Sequence, residues 1–245
     1  MPITIEQLQA LAPWHFDIPV GNGLRTAHGN AQLDEQPPLS NPQKIGKLLR
    51  AIYPEGLQGK SFLDVACNGG GYSLLARDLG AERVFGFDVR EHWINQAQFL
   101  LENLPGRRDV IRFVQQDLLE AEKILGDERF DICLFKGIFY HLPDPVSNLK
   151  MIANRTDEIL ILDTETAIGE KDGCLRLYME GVENHMSGVH RLAWLPTGPE
   201  VIKDILHWLG FPAAQLIFWK QPAARPRGRL RIVAARNPDI LQSLI

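Results

Sequence analysis

The sequence has few cysteines and no long apolar run. Its three cysteines, Cys67, Cys133 and Cys174, are widely spaced and form no Cys-x-x-Cys pair, so neither a disulfide framework nor a zinc site is indicated. No apolar stretch approaches the roughly 20 residues that cross a bilayer, and the N-terminus lacks the basic start and apolar segment of a signal peptide. We therefore expect a cytoplasmic protein with no membrane contact and no metal.

Acidic residues are absent from one basic segment near the C-terminus. The net charge of −4 argues against a protein devoted to nucleic acid. The segment from Lys220 to Arg236, however, contains six basic residues and no acid. With 245 residues and 45% hydrophobic content, the chain is long enough to bury one substantial core, so we expect a single domain.

A strand, a glycine turn, a helix and a second strand follow one another near the middle of the chain. Phe62 to Ala66 is apolar and partly β-branched, Tyr72 to Leu79 has apolar residues at helical spacing, and Arg83 to Asp88 reads as a strand. Such a βαβ unit requires a parallel sheet, and ligands of these sheets bind at the carboxyl ends of the strands. The glycine turn lies at that edge.

The turn reads Ala-Cys-Asn-Gly-Gly-Gly, which does not match the GxGxxG spacing of a dinucleotide site. Its glycines would let the backbone approach a nucleoside that carries an amino-acid tail. Asp64 is placed to accept from a ligand ammonium group, and Asp88 from both ribose hydroxyls. This combination suggests S-adenosylmethionine (SAM). The alternative is a plain turn with Asp88 as a helix cap.

At these residues the sequence resembles class I SAM-dependent methyltransferases, whose first motif usually reads D-x-G-x-G-x-G after a strand. Asp64, Ala66, Asn68 and Gly70 stand at the motif positions, with alanine and asparagine where glycines are usual. The resemblance implies that an acid after the third strand, here Asp117, contacts the adenine amino group. The cofactor contacts that we expect are Asp64, Ala66, Cys67, Asn68, Gly70, Asp88, Val89, Asp117, Leu118 and Lys136.

The rest of the chain continues the alternation. Further strands are predicted at Val110 to Val114, Asp131 to Phe135 and Glu158 to Asp163, and a helix that Gly210 ends precedes two final strands. We expect an α/β, Rossmann-like class I methyltransferase fold: a mostly parallel seven-stranded sheet with helices on both faces and a C-terminal antiparallel hairpin. The expected layout is an arm and helix (1–57), a SAM-binding core (58–165), a lid (166–197) and a helix with hairpin (198–245).

A narrower resemblance rests on "WHFDIPVGNGLRT", "CNGGGYS", "GIFYHLPDP", "DTET" and "RLAWLPT". Together they are similar to the CmoB-like group, which includes the tRNA wobble-uridine carboxymethyltransferase. In that enzyme the cofactor is carboxy-SAM, and a tyrosine at the position of Tyr140 helps hold the extra carboxylate. The long basic N-terminal extension expected for tRNA is absent, so we expect ordinary SAM.

The group resemblance also implies covering segments over the site. Residues on them that we expect to contact an acceptor are Trp14, Tyr178, Arg191 and Trp194, with ordinary lid packing as the alternative for each. Arg225 and Arg227, in the basic segment, would favour a carboxylate- or phosphate-bearing acceptor, with a solvated turn as the alternative.

Methyl transfer from a sulfonium is an in-line displacement that mainly requires positioning and exclusion of water. An acceptor that must lose a proton also needs a base, for which His141 and His15 are candidates because histidine titrates near neutral pH. Tyr140, with Phe139, would form an aromatic wall near the cationic sulfonium.

Three functions are consistent with the sequence. The leading hypothesis is a SAM-dependent methyltransferase acting on a small molecule. The second is carboxymethyl transfer from carboxy-SAM, or methyl transfer, to tRNA. The third is a SAM-binding module without catalysis, which the degenerate first motif favours. The oligomeric state is not predicted.

Overall fold

The computed structural model describes residues 2–35, 39–222 and 227–244. The chain divides into two compact units, Met1–Ala121 and Glu122–Ile245. No helix in the described ranges is long and apolar enough to span a membrane.

The first unit contains an N-terminal arm followed by βαβ units. Its helices are α1 (Ile5–Ala10), α2 (Gln43–Ile52), α3 (Gly71–Asp78) and α4 (Glu91–Asn103). Its strands are β1 (Pro19–Gly21), β2 (Leu24–Arg25), β3 (Ser61–Val65), β4 (Arg83–Asp88) and β5 (Ile111–Gln115). β1 and β2 form a small antiparallel hairpin, whereas β3, β4 and β5 are parallel neighbours in that order. The residues of β3 after its first are all buried, as expected of a central parallel strand.

The second unit continues the alternation and ends in a hairpin. Its helices are α5 (Glu122–Leu125), α6 (Pro145–Ala153) and α7 (Pro199–Trp208). Its strands are β6 (Phe130–Lys136), β7 (Thr156–Ala167), β8 (Leu175–Met179), β9 (Leu192–Pro196), β10 (Ala213–Lys220) and β11 (Arg227–Ala235). β6 and β7 are parallel, β11 is antiparallel to β7, and β10 is antiparallel to β11. β8 and β9 form a separate two-stranded sheet.

Local sequence signals explain where several elements begin and end. The Asp144 side chain accepts a hydrogen bond from the backbone N–H of Ser147 and so caps α6, whose first residue is proline. α7 ends just before Gly210, which has a positive φ of 86°. These are the residue types that specify helix ends in a sequence.

The mostly parallel seven-stranded sheet with a C-terminal antiparallel hairpin is confirmed. β7 is longer than the predicted Glu158 to Asp163 because β11 pairs with it along its length, from Ala235↔Ile159 to Arg227↔Ala167. That pairing also brings Arg227 into a strand rather than a turn. The four-part layout stays a prediction, although residues 166–197 do contain the separate β8–β9 sheet.

Candidate functional site

The turn between β3 and α3 is built from left-handed backbone. Ala66, Asn68 and Gly70 have φ values of 55°, 51° and 74°. The two motif positions that lack glycine therefore keep the conformation that glycine favours, which asparagine tolerates well and alanine only at a cost of roughly 1–2 kcal/mol. The departure from the usual motif changes residue types without changing the expected backbone.

Close packing also requires small residues in this turn. A Cβ atom at Gly70 would lie 2.6 Å from the Phe113 ring and 2.9 Å from the Ala97 Cβ. At Gly71 it would lie 2.6 Å from the ring of Phe16. The glycines therefore let α3 begin against neighbouring aromatic rings, and the turn is fixed by packing as well as by backbone conformation.

Two buried carboxylates flank the turn. Asp64 is 1% exposed and accepts a hydrogen bond from the Ser73 hydroxyl at 2.7 Å. Asp88, at the end of β4, accepts the backbone N–H groups of Asn68 and Arg90, each at 3.0 Å. Burial raises the pKa of Asp88 to about 6, against the lowering effect of these hydrogen bonds. Asp88 is thus a carboxylate that its protein surroundings do not fully compensate.

Cys67 shapes the turn. Its N–H donates to Phe87 O at 2.9 Å, its carbonyl accepts the N–H of Gly70 at 3.0 Å, and its thiol is buried. Burial, with Asp64 and Asp88 nearby, raises the pKa of that thiol well above its usual range. Cys67 is therefore a neutral, engaged residue, and its contact with a ligand stays a prediction.

The remaining cofactor candidates of the first unit lie at the ends of β4 and β5. The Asp117 side chain accepts the Leu119 N–H at 3.0 Å and caps a short 3₁₀ helix. Leu118 is buried, and Val89 is half-buried with its carbonyl accepting from Gln115. Their positions follow the strand ends, as predicted, and their ligand contacts stay predictions.

The N-terminal arm packs against the first unit. Trp14 is fully buried, and its indole N–H donates to Leu8 O at 2.7 Å while its backbone N–H donates to the Asn30 side chain. The contact of Trp14 with an acceptor stays a prediction. His15 is half-buried beside Phe16, with ring centroids 5.5 Å apart.

A second polar cluster lies in the second unit around Asp163 on β7. Its carboxylate is 1% exposed and contacts Arg229 Nε at 2.6 Å, Arg231 Nη2 at 2.7 Å and Lys136 Nζ at 3.8 Å. Burial alone would raise the pKa of Asp163, but the three cations outweigh it and hold that pKa below its usual range. We call these four residues the Asp163 cluster. It carries three positive charges and one negative charge.

Tyr140 and Tyr178 lie beside further charges. Burial raises the pKa of Tyr140 although Arg229 opposes that shift, so its phenol stays protonated at neutral pH. Arg227 contacts Glu165 at 2.8 Å, stacks over the Tyr178 ring at 4.4 Å and donates to its hydroxyl. Arg227 is therefore already paired with Glu165.

His141 is paired with a residue that the sequence reasoning missed. Its Nδ1 lies 2.7 Å from Oε2 of Glu180, and both side chains are about nine-tenths buried. The same oxygen accepts the Gly188 N–H at 3.0 Å. Glu180 lies 39 residues from His141 in sequence, and no motif marked it.

Two lid candidates and one hairpin candidate remain. Trp194 is half-buried on β9, and its indole N–H donates to Pro143 O at 2.9 Å. Arg191 is exposed with φ 66°, and its carbonyl accepts the Glu180 N–H. Arg225 lies outside the described residues. These three contacts with an acceptor stay predictions.

A family model described as a methyltransferase domain matches residues 57–182, which is more than half of the chain. The chain belongs to the methyltransferase domain family. This family uses SAM, and the match covers the β3 turn, Asp88, Asp117 and the Asp163 position.

Curated relatives of this methyltransferase include the tRNA U34 carboxymethyltransferases of two bacteria. That of Aliarcobacter butzleri is 30% identical over 171 residues, which is 66% of this chain and 50% of the relative. That of Campylobacter hominis is 33% identical over 157 residues, which is 62% and 49%. The chain thus spans about half the length of the curated relatives that it matches.

Solved methyltransferase structures share the fold. The N-terminal domain of EvdMO1, crystallised in the presence of SAH and D-fucose, superposes with a TM-score of 0.74 at 18% identity and 95% coverage of both chains. Magnesium protoporphyrin IX methyltransferase from Synechocystis PCC 6803, with bound SAM, gives a TM-score of 0.55 at 18% identity, covering 80% of this chain and 79% of the other.

Proposed function

We propose that this protein transfers a methyl group from SAM to a small molecule that carries an anionic group. Asp88 is the observation that supports the cofactor most strongly. It is a buried carboxylate at the end of a parallel strand, with a pKa raised to about 6 because its partners do not fully offset burial. Ribose hydroxyls would supply the missing donors, and each charge-assisted hydrogen bond is worth about 1.5–3 kcal/mol.

The other turn residues fit the same ligand. Asp64 offers carboxylate oxygen to an ammonium group, and Asp117 to an adenine amino group. The left-handed backbone from Ala66 to Gly70 keeps side chains out of the ligand's way. When bound, SAM supplies an electrophilic methyl carbon, and the protein's task is to orient it and exclude water.

The anionic group of the acceptor is proposed from the Asp163 cluster. Three cations, Lys136, Arg229 and Arg231, surround one buried carboxylate there. Arg229 is the member with most exposure, at 34% of its side chain, so it is best placed to bind an anion. Arg227 contributes less than we expected from the sequence because Glu165 neutralises it.

The test is a methylation screen with SAM labelled in its methyl group. Hydroxylated carboxylic acids, both phenolic and sugar acids, would be compared with their neutral amides. We expect label transfer to acids and little to amides, and we expect Arg229→Leu to raise KM for the acid more than it lowers kcat. SAM binding with equal transfer to acids and amides, or with no transfer, would contradict the anionic acceptor.

A second candidate is carboxymethyl transfer from carboxy-SAM. It is favoured by the protonated phenol of Tyr140 beside Arg229, a donor pair suited to a carboxylate, and by the names of the curated relatives. Mass spectrometry of the ligand retained on purification discriminates the two. Carboxy-SAM would favour this candidate, with tRNA as acceptor tested by salt dependence of binding.

Catalysis itself distinguishes both candidates from a SAM-binding module. Product formed in the screen, at a rate that scales with protein concentration, would exclude that third hypothesis. SAM binding without any product, from SAM or carboxy-SAM, would support it.

A further inference from the structure

The His141–Glu180 pair has geometry that fixes which ring nitrogen carries the proton. An ionised carboxylate only accepts hydrogen bonds, so Oε2 of Glu180 at 2.7 Å requires a proton on Nδ1 of His141. In the neutral ring, Nε2 then keeps its lone pair. No hydrogen bond engages Nε2 among the parts of the chain that the structure describes. The nitrogen left for chemistry is therefore Nε2.

The pair is held on several sides. The Tyr140 ring lies 4.0 Å from the His141 ring, centroid to centroid. A Cβ atom at Gly188 would lie 2.7 Å from Oε2 of Glu180 and 2.9 Å from Cβ of His141, so this glycine closes tightly over both. Tyr178 and Arg227 also interact electrostatically with Glu180. A loop, a ring and a carboxylate thus fix one orientation of the imidazole.

We propose that Glu180 is a positioning residue that holds His141 as the general base for a hydroxyl acceptor. This inference rests on the proposed function. Bound SAM would supply the methyl carbon, to which the acceptor oxygen would bond as the carbon–sulfur bond breaks and its electron pair stays on sulfur. The hydroxyl proton would pass to Nε2 of His141. A carboxylate or thiolate acceptor would need no such base, whereas a hydroxyl, which must lose its proton, would.

The first test needs no acceptor. Full-length protein with ¹⁵N-labelled histidine would be examined by NMR, with the His141 signal assigned through His141→Gln. We expect the Nδ1-protonated ring in wild type and its loss in Glu180→Ala. Glu170→Ala is the matched control, because Glu170 pairs with Arg176 on the exposed surface. An Nε2-protonated ring in wild type would overturn the proposal.

The second test measures turnover of the hydroxy acid that the screen identifies. Glu180→Ala should lower kcat about tenfold to hundredfold without changing the Kd for SAM, since the base would lose its orientation. Glu180→Gln keeps an acceptor oxygen, so its kcat should fall between those of wild type and Glu180→Ala. His141→Gln removes the base itself and should lower kcat at least as much as Glu180→Ala, again without changing the Kd for SAM.

The outcomes separate the two proposals. Wild type that binds no SAM overturns the proposed function whatever the state of His141. SAM binding and turnover with an unchanged kcat in Glu180→Ala overturns only the role of the pair. Methylation of a carboxylate or thiol, with hydroxyl analogues inert, also contradicts the hydroxyl acceptor.

Discussion

Asp88 in the first unit and Asp163 in the second are both buried carboxylates on parallel strands, and their pKa values shift in opposite directions. Burial raises the pKa of Asp88 to about 6, because backbone N–H groups only partly offset the loss of water. Lys136, Arg229 and Arg231 overcome the same burial penalty at Asp163 and lower its pKa. One acid is incompletely compensated and suits a ligand that donates hydrogen bonds. The other is already paired and organises cations around itself.

The largest expected effect comes from removing the charge of Asp163. Asp163→Asn leaves three cations around a buried neutral group, and we expect the free energy of unfolding at pH 7 to fall by about 3–5 kcal/mol. Asp157→Asn is the control, because its partner Arg129 and Asp157 itself are about half exposed and that pair should contribute about 0–1 kcal/mol. Urea unfolding measures both. Equal effects would contradict the account of the Asp163 cluster.

The pH dependence of the stability of the same variant checks the direction of the pKa shift at Asp163. Because the folded pKa of Asp163 lies below the unfolded value of 3.8, its stabilisation is present above that value and is lost as pH falls through the folded pKa. The difference between wild type and Asp163→Asn should therefore be constant at neutral pH and shrink below about pH 4. The contribution of Asp88 to stability has the opposite pH dependence, because its pKa is raised: the contribution is present below pH 3.8 and is lost as pH rises through about 6.

The next effect concerns packing in the β3 turn. Gly70 and Gly59 share a φ of 74°, but a Cβ at Gly59 meets nothing within 4 Å whereas one at Gly70 meets Phe113. Gly59→Ala isolates the cost of the backbone conformation, about 1–2 kcal/mol, and Gly70→Ala adds overpacking of about 1–3 kcal/mol. The two variants would be compared by thermal and urea unfolding. Equal losses of stability in the two variants would contradict this expectation, because they would mean that the Phe113 ring moves aside at no energetic cost.

A smaller effect is expected in the pH dependence of SAM affinity. The ionised form of Asp88 would accept ribose hydroxyls, so the Kd for SAM should rise up to about tenfold per pH unit below about 6. Asp88→Asn cannot titrate and should bind weakly with little pH dependence. Calorimetric titrations between pH 5 and 8 measure both, and a wild-type Kd that is flat across this range would contradict the role of Asp88.

The smallest effect is at the alanine of the motif. Ala66→Gly relieves a left-handed alanine but adds freedom to the unfolded chain, so the free energy of unfolding should rise by at most about 1 kcal/mol. Asn68→Gly should change it less, because asparagine tolerates this conformation. If Ala66→Gly lowered the free energy of unfolding by more than about 1 kcal/mol, the packing of the Ala66 methyl group would outweigh the cost of its left-handed backbone.

The two regions also differ in how far the sequence predicted them. The strand, turn and helix around Gly70 depend on local periodicity and on residue types at fixed spacing, so their bounds were predicted to within a residue or two. The Asp163 cluster depends on β11 pairing with β7, and Asp163 and Arg229 are 66 residues apart. "DTET" was recognised as part of a resemblance, but nothing local indicated that its aspartate would face three cations.

The same reasoning explains the missed Glu180 and the misplaced Arg227. Glu180 meets His141 because β8 and its following loop fold back, which periodicity does not reveal. Arg227 was predicted in the turn of the C-terminal hairpin, where it would favour an anionic acceptor. Instead it begins β11 and pairs with Glu165, since a long antiparallel partner lengthens a strand beyond its apolar core. Tertiary pairing, which a single sequence does not display, determined both.

The central claim is that the β3 turn and Asp88 bind SAM. Calorimetric titration of the full chain with SAM at pH 7.5 tests it most directly, with Asp88→Ala as the variant and Asp109→Ala, an exposed acid of the same unit, as the control. We predict binding by wild type and control, and binding weaker by about 1.5–3 kcal/mol for Asp88→Ala, a factor of roughly ten to more than a hundred. Wild type that binds neither SAM nor SAH, or Asp88→Ala that binds as tightly as wild type, would contradict the account.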